Sequence, residues 1–289
     1  MFTEELVLLD THVCPSGRCA QEILDTVEKS ITYYYDIHRT KILGIGVGTC
    51  GVVDIKKGIV TSSGAIKDWN NIPLRDYLMQ RFNVPIVIEN DVKAALYGEA
   101  VADKNQKIGS ILYLSIGTSI GVAFMQDGHL LRGDHGRLGE IHRYLPRNSR
   151  YTLEQLIGGK GISLQYYDET GVQMSCRELA LLAAEGNTIS ERIFRKFTVS
   201  TADLLHWLVI CFDPSHVILG GGVVCNNSSL FQMIIQQYSV VDNQKGHNLC
   251  LAKLGVNSGI YGAAALVKYL SDEEKSFYVA CNFKGEIVL

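Results

Sequence analysis

The feature that most limits what this chain can fold into is an apolar strand that runs unbroken through a polar turn into a helix. Pro85–Glu89 is the strand, Asn90-Asp91 the turn and Val92–Ala102 the helical run. A second strand, Ser110–Ile116, ends in Gly117-Thr118-Ser119-Ile120-Gly121. Strand, helix and strand in succession is the pattern of a mostly parallel α/β sheet. The two strand ends carry complementary chemistry. A carboxylate at Asp91 can take a proton from a hydroxyl, and a Gly/Thr turn offers bare backbone N–H groups to a phosphate. Together they suit a cleft in which a hydroxyl meets a phosphate.

The rest of the chain extends this pattern. Glu5–His12 reads as a strand, and Ala20–Tyr35 as an amphipathic helix with Ile23, Leu24, Val27, Ile31 and Tyr34 on one face. Lys41–Gly48 is an apolar strand, Gly58–Thr61 opens a hairpin, and Pro73–Phe82 is a helix with proline in its first turn. A polar break at 105–108 precedes a second set of elements. There Ile120–Gln126 is a strand, Asp127-Gly128 a turn, and helices are expected at 152–158, 175–185 and 188–212. His216–Gly220 reads as a buried strand, followed by helices near 228–238 and 259–270 and a strand near 249–252. The expected division is a small α/β lobe at 1–107, a large one at 108–270 and an extension at 271–289, with a hairpin turn at Lys284-Gly285.

Composition excludes several classes. With 289 residues, 47% of them hydrophobic, and 28 glycines, the chain can bury a sizeable core. A net charge of −3 makes no electrostatic case for nucleic acid or an anionic membrane. No apolar run is long enough for a membrane span, and Met1-Phe-Thr-Glu-Glu5 lacks the basic start of an export signal. The eight cysteines are scattered, several within apolar runs, which suits reduced thiols in a cytoplasm. Cys14 and Cys19 are close in sequence, but no further pair is spaced to complete a metal site with them.

Further motifs stand in a fixed order: Gly46-x-Gly48-x-x-Gly51-x-Val53-Asp54, Trp69-Asn70-x-x-Pro73-Leu74, Glu89-Asn90-Asp91, Gly117–Gly121, Gly139-Glu140-Ile141, Leu153-Glu154, Pro214-x-x-Val217-Ile218-Leu219-Gly220-Gly221-Gly222 and Gly259-x-x-Gly262-Ala263-Ala264. In that order they resemble the ROK family, which groups sugar kinases with sugar-responsive repressors. The resemblance runs from about Glu5 to Leu270. It implies a two-lobed α/β fold of the actin/hexokinase (ribonuclease H-like) type, a homodimer, a small-molecule sugar as ligand, and ATP with Mg²⁺ as cofactors. Asp91 matches the family's catalytic base, and also reads as the N-cap of the helix that follows it. By the same register Asn90, Asp91, Glu140 and Glu154 are substrate-binding; His142, one residue short of the family's His, is a further substrate-binding candidate, with Arg143 the alternative at that place. Gly117, Thr118 and Gly121 match a phosphate-binding turn, and Gly220, Gly221 and Gly222 the adenosine-side glycines. Ser119 stands at a usual glycine, removing a residue free to adopt positive φ.

The chain departs from the family in three places. No Asp-x-Gly-Gly-Thr loop opens the sequence, so the first lobe is expected to lack its first two strands and the loop that contacts ATP phosphates and metal. The family's Gly-His pair and cysteine cluster are absent between Glu140 and Leu153, which reads Ile141-His142-Arg143-Tyr144 onward, so no zinc is expected. Lys93 stands where the family usually has Asn, and two positions from Asp91 on a helix start it does not face it. These departures favour a sugar-binding regulatory or sensor protein with weak or no phosphotransfer. The alternative is an ATP-dependent kinase of hexoses or N-acetylhexosamines.

Overall fold

The computed structural model describes residues 1–38, 42–64, 66–103, 109–242, 247–268, 277–283 and 286–288, the last two stretches and His38 as backbone. In chain order the first elements are β1 (Val13–Pro15), α1 (Ala20–His38), β2 (Ile42–Thr49), β3 (Val52–Asp54), β4 (Ile59–Ser62), α2 (Leu74–Met79), β5 (Ile86–Asn90) and α3 (Asp91–Ala102). Then come β6 (Ile111–Ile116), β7 (Ile120–Gln126), β8 (His129–Leu131), α4 (Leu153–Ile157), α5 (Gly159–Thr170), α6 (Cys176–Ala184) and α7 (Thr188–Phe212). The chain closes with β9 (His216–Gly220), α8 (Gly222–Cys225), α9 (Ser228–Val241), β10 (Asn248–Leu251), α10 (Ser258–Lys268), β11 (Phe277–Phe283) and β12 (Glu286–Val288). No described helix is long and apolar enough to cross a membrane.

Two compact units result, and they interleave along the chain. One comprises Met1–Gln106, Leu130–Leu138 and Asn257–Leu289; the other comprises Lys107–His129 and Gly139–Val256. The first division falls between Gln106 and Lys107, within 104–108, which lie outside the described residues. Unlike the 108–270 lobe expected from sequence, α10 groups with the first unit. The reason is packing: α10 lies against β2 and α3, and a Cβ on Gly262 would stand 1.7 Å from the Ala94 carbonyl oxygen. Only glycine lets two helices approach so closely.

The first unit holds a sheet of order β1-β12-β11-β2-β5. β11 runs parallel to β2, from Phe277 opposite Ile42 to Phe283 opposite Thr49, and β2 runs parallel to β5. β12 returns antiparallel between β11 and β1. One face of this sheet packs on α1, whose Ile23, Val27, Ile31 and Tyr34 are fully buried with Ile45, Val47 and Val60. The other face carries Leu43 with Ile260, Ala263, Ala264 and Val267 of α10. The sheet is thus covered by helices on both faces, as parallel strands require.

The strand expected at Glu5–His12 does not form. Residues 2 and 8 make an isolated bridge around a turn in which the Leu6 amide bonds the Thr3 carbonyl, and Leu6 has φ 61°. Val7, Leu8 and Leu9 are exposed, so this apolar run lacks the buried face that would make it a strand. The segment at Val13–Pro15 takes the edge position instead.

The second unit holds a sheet of order β10-β9-β6-β7-β8. β10, β9 and β6 are parallel, and β7 is antiparallel to β6 through the Gly117–Ser119 turn. Every residue of β6 is buried. Helix α5 was not legible in the sequence, because Gly158-Gly159-Lys160-Gly161 reads as a loop; tertiary contacts override the propensity of those glycines.

The turn expected at Lys284-Gly285 lies outside the described residues. The strands flanking it pair with β2 and β1, so loss of the tail exposes the backbone groups of β2, a strand buried at all eight positions. Removing residues 275–289 should lower the melting temperature by several degrees or more and promote aggregation. An unchanged melting curve for the truncated chain would deny the tail any structural part.

Candidate active site

In the first unit the end of β5 and the start of α3 concentrate buried polar groups. Glu89, Asn90, Asp91 and Lys93 are all buried. The helix cap is Asn90, not Asp91 as the sequence suggested: the Asn90 side-chain oxygen accepts from the amides of Val92 and Lys93, each at 3.1 Å. Its Nδ2 donates to the Gly51 carbonyl at 3.0 Å. Asn90 therefore has one amide hydrogen left for a ligand.

This frees the Asp91 carboxylate from capping. It sits at the first residue of α3, where the helix dipole favours negative charge, and accepts from the Val92 amide at 3.0 Å. Among the described residues no cation forms an ion pair with it.

Glu89, two residues earlier, is tied instead. Its Oε2 accepts from Arg132 Nε at 2.8 Å and lies 2.7 Å from Nη2, while its Oε1 accepts from the Asn90 amide at 2.9 Å. Lys93, fully buried, reaches the Gly136 carbonyl at 3.3 Å. The sequence reading missed both ties. A glutamate ending an apolar strand does signal a need for a cation, but nothing in the spacing selects Arg132. Nearby, Trp69 Nε1 donates to Thr49 Oγ1 at 3.1 Å and holds the end of β2.

In the second unit Glu140, His142 and Glu154 come together. Glu140 Oε2 lies 3.4 Å from His142 Nδ1, and the Glu154 amide donates to the His142 carbonyl at 3.2 Å. The Leu153 amide bonds the Tyr144 carbonyl at 2.8 Å, so 142–144 and 153–154 lie side by side. Glu140 and His142 are each about a quarter exposed at the side chain, at 26%. Both carboxylates are within reach of solvent or a ligand.

The stretch between them is braced by hydrogen bonds. Ser149 Oγ accepts from the Tyr151 amide at 3.0 Å and donates to its carbonyl at 2.7 Å. The Tyr151 hydroxyl donates to Asp168 at 2.8 Å and also meets Arg150. Burial, then the Asp168 carboxylate, holds this phenol above its usual pKa. Thr152 and Gln155 form a capping box at the start of α4, the helix that carries Glu154. Among the described residues no three His, Cys, Asp or Glu side chains gather as a metal-binding group.

The glycine runs also converge within the second unit. The amide of Gly159 donates to the Gly117 carbonyl at 2.8 Å, and that of Lys160 to the Thr118 carbonyl at 3.2 Å. The N-terminus of α5 thus holds the 117–119 turn by its carbonyls. Among the described residues the amides of Thr118 and Ser119, both exposed, meet no acceptor. A Cβ on Gly117 would approach the Gly222 amide nitrogen at 4.0 Å, so the second glycine run lies beside the turn. Ser119 is not among the residues with positive φ, so the turn does not need the freedom that a glycine would give there.

Two α/β units that interleave along the chain, a carboxylate at a helix start and a glycine turn at a strand end suit a hexokinase-like fold. The sequence matches the ROK family over residues 1–269, and the chain belongs to that family. It is 32% identical over 193 residues to a beta-glucoside kinase of Listeria monocytogenes, a match spanning 64% of this chain and 66% of the kinase, just under two thirds of the latter's length. A xylose repressor of Caldicellulosiruptor bescii is 24% identical over 278 residues, covering 85% of this chain and 67% of the repressor. The solved ROK hexokinase of Thermus thermophilus superposes with a TM-score of 0.76 at 27% identity, over 89% of each chain. The fold is the actin-like ATPase fold of these hexokinases, as the resemblance implied.

The loop carrying Glu140 turns on Gly139, which has φ +90° and whose Cβ would stand 1.8 Å from the Val122 carbonyl oxygen. Gly139→Ala should therefore destabilise the protein by roughly 2–4 kcal/mol through clash and backbone strain together. A denaturant midpoint unchanged from the parent would show that the loop relaxes freely.

Proposed function

We propose that this protein phosphorylates a hexose or hexoside with ATP, with Asp91 as the base. The observation that carries this reading is the Asp91 carboxylate, held at the start of α3 while Asn90 takes over the capping. A carboxylate so placed is left with lone pairs for the proton of an attacking hydroxyl. Glu140, His142 and Glu154 are the acceptors for sugar hydroxyls in this reading, since two carboxylates and an imidazole orient a polyol by paired hydrogen bonds. Asn90 contributes its remaining amide hydrogen.

The nucleotide supplies the transferring phosphoryl group, and Mg²⁺ accompanies its phosphates. The donors present in the 117–119 turn fit a phosphate, because α5 ties back the carbonyls and leaves the Thr118 and Ser119 amides for an anion. Gly221 and Gly222, beside this turn, suit the close approach of the nucleotide. Catalysis here rests on positioning and charge stabilisation around the transferred group. The relative named for beta-glucosides places such glycosides in the substrate panel alongside free hexoses.

A sensor without phosphotransfer is the second reading. It is favoured by the lack of Asp-x-Gly-Gly-Thr anywhere in the sequence and by the repressor among the relatives. Coupled ADP release across a sugar panel, measured beside the sugar-induced thermal shift, separates the two. Turnover supports the kinase, and a shift without turnover supports the sensor.

Asp91→Asn should keep the sugar-induced shift while turnover falls by about 10²–10⁴-fold. Equal turnover in variant and parent would remove Asp91 from the chemistry. Glu140→Ala and Glu154→Ala should instead weaken the shift, and a full shift in both would misplace the sugar pocket.

This reading includes no structural zinc, because hydrogen bonds brace the 143–152 stretch in place of thiolates. Metal analysis after a chelator wash should find no stoichiometric zinc. One zinc retained per chain would overturn that part of the proposal.

A further inference from the structure

The stretch 130–138 belongs to the first unit although the chain on either side of it belongs to the second. It is tied down at two points, and both ties start from the turn that carries Asp91. Arg132 spans from Glu89 to its own loop: Nε and Nη2 meet Glu89 Oε2 at 2.8 and 2.7 Å, and Nη1 donates to the Leu130 carbonyl at 3.1 Å. Lys93 Nζ holds the Gly136 carbonyl at 3.3 Å. Glu89 and Lys93 flank Asp91, two residues before and two after it.

The Glu89 side chain is only 3% exposed, whereas that of Arg132 is 28% exposed. A pair with one buried member adds little stability over an apolar pair of similar volume, but breaking it strands a buried charge. What it supplies is geometry. The Arg132 fork fixes both the direction and the length of the tie.

We propose that Glu89 and Arg132 are positioning residues that hold the base-bearing turn at Asp91 in register with the 130–138 stretch. The inference rests on the sugar-binding reading above. It implies that loosening the tie weakens sugar capture before it touches nucleotide binding.

The test compares Arg132→Met and Arg132→Lys with the parent. Arg132→Met should raise the sugar KM, or the half-saturating sugar in a thermal-shift titration, at least tenfold, with the ATP KM within about twofold. Arg132→Lys, which keeps the charge without the fork, should recover part of the loss. Sugar constants equal to the parent's in either variant would overturn the proposal, even if the melting temperature fell. Hydrogen exchange supplies a readout independent of activity. Amides 133–138 should exchange faster in Arg132→Lys while those of α7 match the parent, and unchanged exchange at 133–138 would also overturn the proposal. If the parent itself neither binds nor phosphorylates any sugar, the functional reading fails and the exchange data alone decide whether the tie exists.

Discussion

The close approach of α10 to α3 and β2 is the contact on which the first unit depends. Gly98 and Gly262 face each other's helices: a Cβ at Gly98 would lie 2.5 Å from the Ser258 carbonyl oxygen. At Gly46 a Cβ would lie 2.0 Å from the Ala263 carbonyl oxygen, so β2 accepts the same helix at the same depth. Ser258 Oγ adds a 2.6 Å hydrogen bond to the buried Glu99. This packing seats α3, and the seat of α3 sets where Asp91 stands. A helix from the far end of the chain thus holds the residue assigned as the base.

The same unit shows how a sheet is completed from the C-terminal end of the chain. Resemblance to the family led to an expectation of missing strands between the first strand and β2. In the structure β11 and β12 lie in that place, with β11 parallel to β2 and β12 joining it to β1. The end of β11 at Phe283 is level with Thr49, which in turn is level with Asn90 on β5. Those three strand ends share the carboxyl edge of the parallel strands, the edge where α/β sheets usually bind ligands.

The 140–154 loop is held by local contacts. Ser149, Tyr151 and Asp168 supply hydrogen bonds, and a capping box starts α4. These groups keep 142–144 alongside 153–154, which brings His142 between the two glutamates in sequence and against Glu140 in space.

The sequence by itself determined the α/β class, most of the strands and helices, and the motif order that marks the family. Those follow from local periodicity and from turn residues such as Gly117 and Gly139, which act over a few positions. It also supplied Asp91, Glu140 and Glu154 as the candidates on which the proposed function rests. It misassigned the cap to Asp91, because Asn90 and Asp91 have equal propensity there and only the backbone path chooses between them. It did not reveal helix α5, whose glycine-rich start is stabilised by the carbonyls of a distant turn. Only the tertiary structure decided the interleaved units, the Arg132–Glu89 tie and the tail strands in the first sheet. Each of these joins residues far apart in sequence, and the free energy of such contacts depends on packing and burial that no local pattern encodes.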